Sequence, residues 1–274
     1  FLRSWAAGSA TAIDDMRIQA RMPMHTDAIV LRVMDYGESD RIVTFCTADF
    51  GKIRGIAKGA RRSRKRFANV LEPFSCSRIQ FSRTRPEGLA LIEICDGLCD
   101  FPAVRGDLEK TLAASYLTDL IDHFTPEDKN NHNTFLLLRD FLHLLEGNAL
   151  SESLLRFFEI RLLRVSGFDP VLDHCLVCKR PVEKPSSYRF EPAGGGLACI
   201  GCGIESPESV RVSIGTVRML QLARETEIGL LGRLQLSGRL AEESRLLLAH
   251  FIHHILGREP RSVHVLHEIR RLGI

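Results

Sequence analysis

Apolar and polar residues change their spacing about a third of the way along this chain, and the change predicts two kinds of structure. In the first part, β-branched runs or alternating apolar and polar residues are separated by turn residues, as in strands with one buried face. These segments are residues 26–33, 41–47, 52–58, 74–82 and 89–95. About five short strands linked by turns are typical of a small barrel or a compact sheet.

In the second part, apolar residues recur every three to four positions, which is the spacing of helices with one buried face. Ser151 is a suitable N-cap for one of these helices and Gly167 a suitable residue just after its end. The helical segments are residues 108–124, 134–145, 154–165, 213–225, 241–256 and, at the end, about 262–271.

These patterns predict an α+β protein of more than one domain, which agrees with a length of 274 residues. We expect a β domain over 24–101 and a helical domain over 102–274, interrupted at 168–210 by a segment rich in Pro, Gly and Cys. Residues 1–23 lack clear periodicity and the apolar core of a signal peptide, so we expect a disordered extension or a tag there. Nor does any stretch approach the roughly 18 consecutive apolar residues of a membrane span.

Positive charge is concentrated rather than spread. The chain has 37 basic and 34 acidic residues, yet eight basic residues and no acidic one fall between positions 52 and 66. Such a segment on a folded platform attracts polyanions by releasing their counterions, so nucleic acid is the first partner to consider. The alternatives are a solvated loop or a localisation-type basic cluster. The eight residues are Lys52, Arg54, Lys58, Arg61, Arg62, Arg64, Lys65 and Arg66.

Aromatic residues near the basic segment could stack on bases. Most aromatic residues of the β domain should form its core. Phe67, directly after the basic segment, and Tyr36, in the first turn, are the two candidates for stacking.

A group of acidic residues offers an enzymatic alternative. Asp35, Glu38 and Asp40 could hold Mg²⁺ for a nuclease beside the basic segment. They lie in one turn, however, and the sequence shows no second acidic set at a strand end. Glu38 and Asp40 could instead pair with Arg41 or close the hairpin, and we expect no enzyme activity.

Four cysteines have the spacing of a metal site. Two C-x2-C pairs are separated by 20 residues, and two such knuckles can give tetrahedral coordination by four thiolates. One structural zinc ion is the expected cofactor, because four protein ligands leave no position for a reactive water; a metal-free or redox pair is the alternative. The predicted ligands are Cys175, Cys178, Cys199 and Cys202.

The other cysteines lie singly in apolar segments, where a reduced thiol behaves as a small hydrophobe. They are Cys46, Cys76, Cys95 and Cys99. This placement favours a reducing compartment over a disulfide framework. His174, beside the first knuckle, is more simply a surface residue than a ligand.

Several motifs in order resemble the bacterial RecO family of recombination mediators. The resemblance covers about residues 24–270, and the first knuckle also fits it. Its motifs are residues 26–31, 35–40, 51–62, 71–74, 158–163, 167–170 and 190–199.

The resemblance implies an N-terminal OB-fold, a helical domain and a zinc-binding insert. It also implies a cytoplasmic, nucleoid-associated protein that binds single- and double-stranded DNA and anneals complementary strands. With RecR, such a protein helps load RecA onto DNA coated by single-strand-binding protein (SSB). Arg156, Arg161 and Arg164 could receive the acidic C-terminal tail of SSB, although ordinary solvated arginines are the simpler interpretation. An adaptor acting mainly through protein partners is the alternative function.

Overall fold

The chain forms two compact units. The first contains the described residues up to 100 together with 125–135, and the second contains 101–124 and the described residues from 136 onward. The sequence-based division placed 125–135 in the helical domain, whereas this segment groups with the barrel. The computed structural model describes residues 23–63, 65–83, 88–127, 129, 131–183, 187–202, 206–260 and 262–263.

The first unit is a closed five-stranded barrel. Its strands are hydrogen-bonded in the order β1-β2-β3-β5-β4, and β4 closes the barrel onto β1. All pairs are antiparallel except β3 with β5. This is the strand order of an OB-fold, so the predicted fold is confirmed. The strands are β1 (Met24–Tyr36), β2 (Asp40–Thr47), β3 (Gly51–Ala57), β4 (Cys76–Ser82) and β5 (Ala90–Cys99).

The barrel core follows from the alternation of residues along the strands. Val43, Phe45 and Ile53 are fully buried in the core, and the positions that alternate with them along the strands, such as Ile42 and Arg54, lie on the opposite face. The connection from β3 to β4 adds Phe67 and Leu71 to the same core. This connection, which carries most of the basic segment, is therefore fixed to the barrel.

A glycine allows residues 125–135 to approach the barrel. Gly51 has a φ of +67°, and a Cβ added there would overlap the carbonyl oxygen of Lys129. His132 Nδ1 also lies 3.0 Å from the carbonyl oxygen of Ala48. Contacts between segments so distant in sequence leave no signal in local periodicity.

The second unit is mainly helical. Ser151 caps α4 as predicted, because its hydroxyl accepts a hydrogen bond from the amide of Leu154, and Gly167 follows the helix with a φ of +84°. Of the predicted terminal helix only 262–263 lie among the described residues. The helices are α1 (Pro102–Gly106), α2 (Leu108–Phe124), most of α3 (His132–Gly147), α4 (Glu152–Val165), α5 (Ile214–Glu225), a 3-10 helix (Ile228–Arg233) and α6 (Gly238–Leu256).

A small sheet interrupts the helices. Its strands are β6 (Tyr188–Glu191), β7 (Gly196–Cys199) and β8 (Val210–Val212), in the order β7-β6-β8. The ring of Phe190 on β6 meets that of Phe251 on α6 edge to face at 5.2 Å. The interrupting segment thus packs on the helical unit.

Among the described residues, no helix has both the length and the apolar character needed to cross a bilayer.

Candidate nucleic-acid interface and metal centre

Strand β3 places the first two basic residues on the outer face of the barrel. Ile53 is buried in the core, and Lys52 and Arg54 alternate with it. Lys52 is half-buried, and its backbone forms a bridge with Glu127. Arg54 is exposed.

The remaining basic residues lie on an ordered connection rather than on an unsupported loop. Successive turns are closed by hydrogen bonds from Arg62 N to Gly59 O at 3.2 Å and from Ser63 N to Ala60 O at 3.3 Å. Arg61 N donates to Ser39 O at 3.0 Å, which ties the connection to the β1–β2 turn. Of the predicted set, Arg64 lies outside the described residues. The exposed members are Lys58, Arg61, Arg62, Lys65 and Arg66.

Several cations of this segment have no acidic partner among the residues that the structure describes. Arg61 lies 3.6 Å from a carboxylate oxygen of Asp35, with both side chains about half exposed. Arg66 donates to the carbonyl oxygen of Lys58 at 3.0 Å, and carbonyls do not cancel its charge. Three further members form no ion pair with any residue that the structure describes, namely Arg54, Arg62 and Lys65.

Strand register adds a cation that sequence reasoning missed. Arg32 on β1 pairs with Thr44 on β2, which pairs with Arg54 on β3. Directly opposed residues share a face of the sheet, so the two arginines lie on the same face, on either side of Thr44. Their strands are about 10 Å apart. Only the pairing of β1 with β2 reveals this neighbour, since Arg32 lies far from the basic segment in sequence.

An apolar row runs beside the arginine row. Met34 pairs with Ile42, Ile42 with Ile56, and Ile56 with Leu91, across four strands of the outer face. Met34 is 52% exposed and Leu91 is 37% exposed. We call these four residues the apolar row. Cationic and apolar positions therefore adjoin on one surface of the barrel.

The two aromatic residues that were candidates for stacking differ in exposure. Phe67 is only 4% exposed and belongs to the barrel core, so the prediction that it could stack on a base is wrong. Its ring instead lies under the Arg66 guanidinium, 5.1 Å from ring centroid to Cζ. Tyr36, at the end of β1, is 54% exposed and remains available.

Two of the acidic turn residues, Asp35 and Asp40, form contacts that stabilise the β1–β2 hairpin. Asp35 pairs with Arg41 at 3.3 Å, and Asp40 Oδ1 accepts hydrogen bonds from Gly59 N at 2.8 Å and Ser39 Oγ at 2.9 Å. The Gly59 amide and then the Ser39 hydroxyl lower the pKa of Asp40 below its usual 3.8. Asp40 thus links the first turn to the start of the basic connection.

The Asp40→Ala variant should loosen the turn at Gly59, because the amide loses its acceptor. Since folding lowers the pKa of Asp40, its contribution to stability is present above about pH 4 and is lost as the pH falls through the lower, folded-state value. We therefore expect faster hydrogen exchange at the Gly59 amide at neutral pH. The difference in denaturation midpoint between wild type and variant should disappear in acid. A difference in denaturation midpoint that persists in acid would mean that the Asp40 carboxylate is not its cause.

The four predicted cysteines come together. Their sulfur atoms all lie within 4.8 Å of one another, and together they are the only such cluster of metal-ligating groups among the described residues. Cys178 Sγ and Cys199 Sγ are 3.8 Å apart. A tetrahedron with metal–sulfur bonds of ~2.3 Å has edges of about 3.8 Å, so the sulfurs have the spacing of a four-thiolate site.

The protein environment favours a thiolate at Cys175. Burial raises its pKa, but hydrogen bonds from the backbone amides of Cys199, Cys178 and Val177 outweigh burial and lower the pKa to about 6. Cys199 N lies 3.3 Å from this sulfur. His174 Nδ1 lies 3.0 Å from Asp173 Oδ1 instead, and this histidine is not part of the cluster. The four cysteines can therefore hold a metal ion.

The three arginines of α4 are engaged within their own unit. Arg156 pairs with the buried carboxylate of Glu159, and Arg164 pairs with Glu225 at 2.7 Å. Arg161 donates to the carbonyl oxygens of two residues at the end of α5, including Ala223 at 2.9 Å. These contacts favour structural roles over reception of an acidic tail.

Comparison with known proteins agrees with the two-part architecture. The family model for the recombination protein O N terminal region matches residues 22–98, and that for the C terminal region matches 105–264. The DNA repair protein RecO of Syntrophus aciditrophicus (strain SB) is 48% identical over 259 residues, which are 94% of this chain and 100% of that protein. The chain belongs to the RecO family.

Other RecO proteins match nearly the same span of the chain at lower identity. Those of Myxococcus xanthus (strain DK1622) and Geobacter metallireducens are both 36% identical, and the matches cover 89% of this chain and 96% and 97% of theirs. Membership of the RecO family gives the chain a role in DNA repair and recombination. The outer face of its barrel and its four-cysteine cluster are thus features of a recombination protein.

Proposed function

We propose that this protein is a recombination mediator that binds single- and double-stranded DNA without sequence specificity and anneals complementary strands. The observation that carries this proposal is the exposed basic segment on an OB-fold, in which Arg54, Arg62 and Lys65 form no ion pair with any residue that the structure describes. OB-folds use the face of strands 2 and 3 to bind oligonucleotides. Here that face carries Arg54 and adjoins Lys58 and Arg62.

Annealing follows from charge. Two DNA strands repel each other, and a surface that lowers the effective charge of both allows them to approach. The basic residues also repel one another in the free protein, and a bound polyanion relieves that repulsion. Phosphate contacts carry no sequence information, so this surface accepts any sequence.

The apolar row gives single strands an additional site. Unpaired bases can cover Met34 and Leu91 while phosphates lie along Arg32 and Arg54. In a duplex the base faces are stacked internally, so only the cations contribute. Tyr36, beside the row, can stack on a base, which is worth ~1–3 kcal/mol.

The Tyr36→Ala variant should bind single-stranded DNA at least about 5-fold more weakly, the equivalent of one modest stacking contact. Its affinity for a duplex of the same length should change little. Fluorescence anisotropy with labelled oligonucleotides measures both. Leu222→Ala, a substitution at a residue 50% exposed in the helical unit, is the control. Equal losses for the two DNA forms would exclude stacking by Tyr36.

Annealing itself is tested with a charge-matched pair of variants. The cation-depleted variant carries Arg54→Ala, Arg62→Ala and Lys65→Ala. The control loses the same charge from exposed positions of the helical unit, through Arg180→Ala, Arg211→Ala and Arg233→Ala. Complementary oligonucleotides should anneal at least about tenfold more slowly with the first variant than with the control, because the electrostatic term is lost. Equal rates would remove the basic segment from the mechanism.

We further propose that the ion in the four-cysteine cluster is zinc and that it is structural, because four thiolates complete its tetrahedron. The protein would then act with RecR to load RecA on SSB-coated DNA, in the cytoplasm and at the nucleoid. With Arg156, Arg161 and Arg164 engaged within their own unit, the SSB tail would bind elsewhere. Pull-down of RecR and SSB with and without nuclease treatment separates direct contacts from bridging by DNA.

A further inference from the structure

Two cysteines outside the metal cluster are paired on adjacent strands of the barrel. Cys76, the first residue of β4, is directly opposite Cys99, the last residue of β5. Directly opposed residues in antiparallel strands have Cα atoms ~4.5–5.5 Å apart, which lies inside the range that a disulfide spans. A register shift follows at Ser77, so the pair sits at an irregular end of the ladder, where local adjustment is easiest.

Both cysteines line a single cavity. Its volume is about 330 Å³, and its wall includes the segment 68–70 from the β3–β4 connection. Cys99 is partly exposed, whereas Cys76 is buried. Cys99 is therefore the more accessible of the two thiols to a small molecule in this cavity.

The other barrel cysteines lack this arrangement. Burial raises the pKa of Cys46 and of Cys95 to about 12, so both remain protonated and unreactive. Across the strands Cys95 faces Ile79, and Cys46 faces Ile29 and Lys52. The opposed pair thus differs from both in having a cysteine as the cross-strand partner, and Cys99 also differs in being partly exposed.

We propose that Cys76 and Cys99 are a reversible oxidation site that closes to a disulfide when it reacts with a hydroperoxide. In the first step the Cys99 sulfur, as thiolate, attacks a peroxide oxygen. The S–O bond forms and the O–O bond breaks, so the sulfur becomes a sulfenic acid and the peroxide is reduced by two electrons. The alkoxide that leaves, or hydroxide in the case of hydrogen peroxide, takes up the proton released by Cys99.

In the second step the Cys76 sulfur attacks the Cys99 sulfur. The S–S bond forms, the S–O bond breaks, and the hydroxide that leaves takes up the proton released by Cys76. The sum is two thiols and one hydroperoxide giving one disulfide, one alcohol and one water. With hydrogen peroxide both small products are water, and a dithiol reductant reverses the reaction.

Peptide mapping of the full chain, purified with its metal, tests the proposal. The protein is treated with graded hydrogen peroxide, blocked with an alkylating reagent and cleaved after Lys and Arg and before Asp. Cleavage at these sites leaves Cys76 in residues 67–78 and Cys99 alone in 96–99, separated from Cys95. The expected product is the 67–78 peptide joined to 96–99, at doses that leave the four-cysteine cluster intact, and it disappears after reduction.

Variants sharpen the result. Cys95→Ser should retain the linkage, while Cys76→Ser should leave Cys99 as a sulfenic acid that a dimedone-type reagent traps. Recovery of Cys76 as the alkylated thiol at doses that oxidise Cys99 would overturn the proposal, as would a linkage to any other cysteine. The wild-type map alone decides between these outcomes, so the test does not depend on the folding of a variant.

Discussion

The Cys199→Ser variant is expected to lose its bound metal ion and, with it, the fold of the segment between α4 and α5. Cys199 ends β7, and its amide and its sulfur both contact other members of the cluster. Without the ion, the first knuckle remains tied to β7 by backbone hydrogen bonds such as that from Leu176 N to Leu197 O at 2.7 Å, and the adjoining sheet has only short strands. Structural zinc contributes ~10–16 kcal/mol in zinc-finger peptides. Because Phe190 also packs on α6, we expect a smaller loss of about 5 kcal/mol in the free energy of unfolding of the helical unit.

Elemental analysis and chemical denaturation together test this expectation. Wild-type protein should hold one ion per chain, and a strong chelator should lower its stability as the substitution does. Cys99→Ser is the control, because that cysteine lies in the barrel and outside the cluster. Full stability of the metal-free wild type would show that the ion is dispensable for the fold.

The cation-depleted variant, with alanine at positions 54, 62 and 65, is expected to bind single-stranded DNA about 100-fold more weakly than wild type at ~0.1 M salt. Each phosphate contact adds about 0.7 to the slope of log K against log salt for single strands, so three contacts add about 2. Binding of the two proteins should converge near ~1 M salt, where the electrostatic term vanishes. A slope difference of about 2 over one decade of salt gives the 100-fold ratio.

The helical-unit control, with alanine at positions 180, 211 and 233, separates local from general electrostatics. It has the same net charge as the cation-depleted variant, and we expect its affinity and salt slope to stay near those of wild type. Equal losses in the two variants would mean that net charge, rather than the basic segment, determines binding.

Local sequence signals predicted the elements that depend on local chemistry. The spacing of the two C-x2-C pairs predicted the cluster, since short knuckles place their own sulfurs. The Ser151 cap was predicted for the same reason, because its partner is the amide of Leu154. The five strands followed from alternation and turns, although Phe74 and the residue after it lie outside β4.

Features that depend on contacts distant in sequence could not be predicted. Arg32 joins the cationic face only through the register of β1 with β2. Phe67 looks exposed beside so many charges, yet the connection folds back and buries its ring. Arg164 meets Glu225 from another helix, and no pattern within α4 reveals that partner. Assignment of 125–135 to the barrel unit depends in the same way on contacts with the β2–β3 turn.

Electrostatic capture of DNA by the basic segment is tested most directly by measuring the affinity of the wild-type protein for a single-stranded oligonucleotide across a salt series. With about five phosphates neutralised, log K should fall with log salt at a slope near −3 to −4. Affinity that hardly changes between low and high salt would contradict the account, because no charge-driven surface behaves in that way.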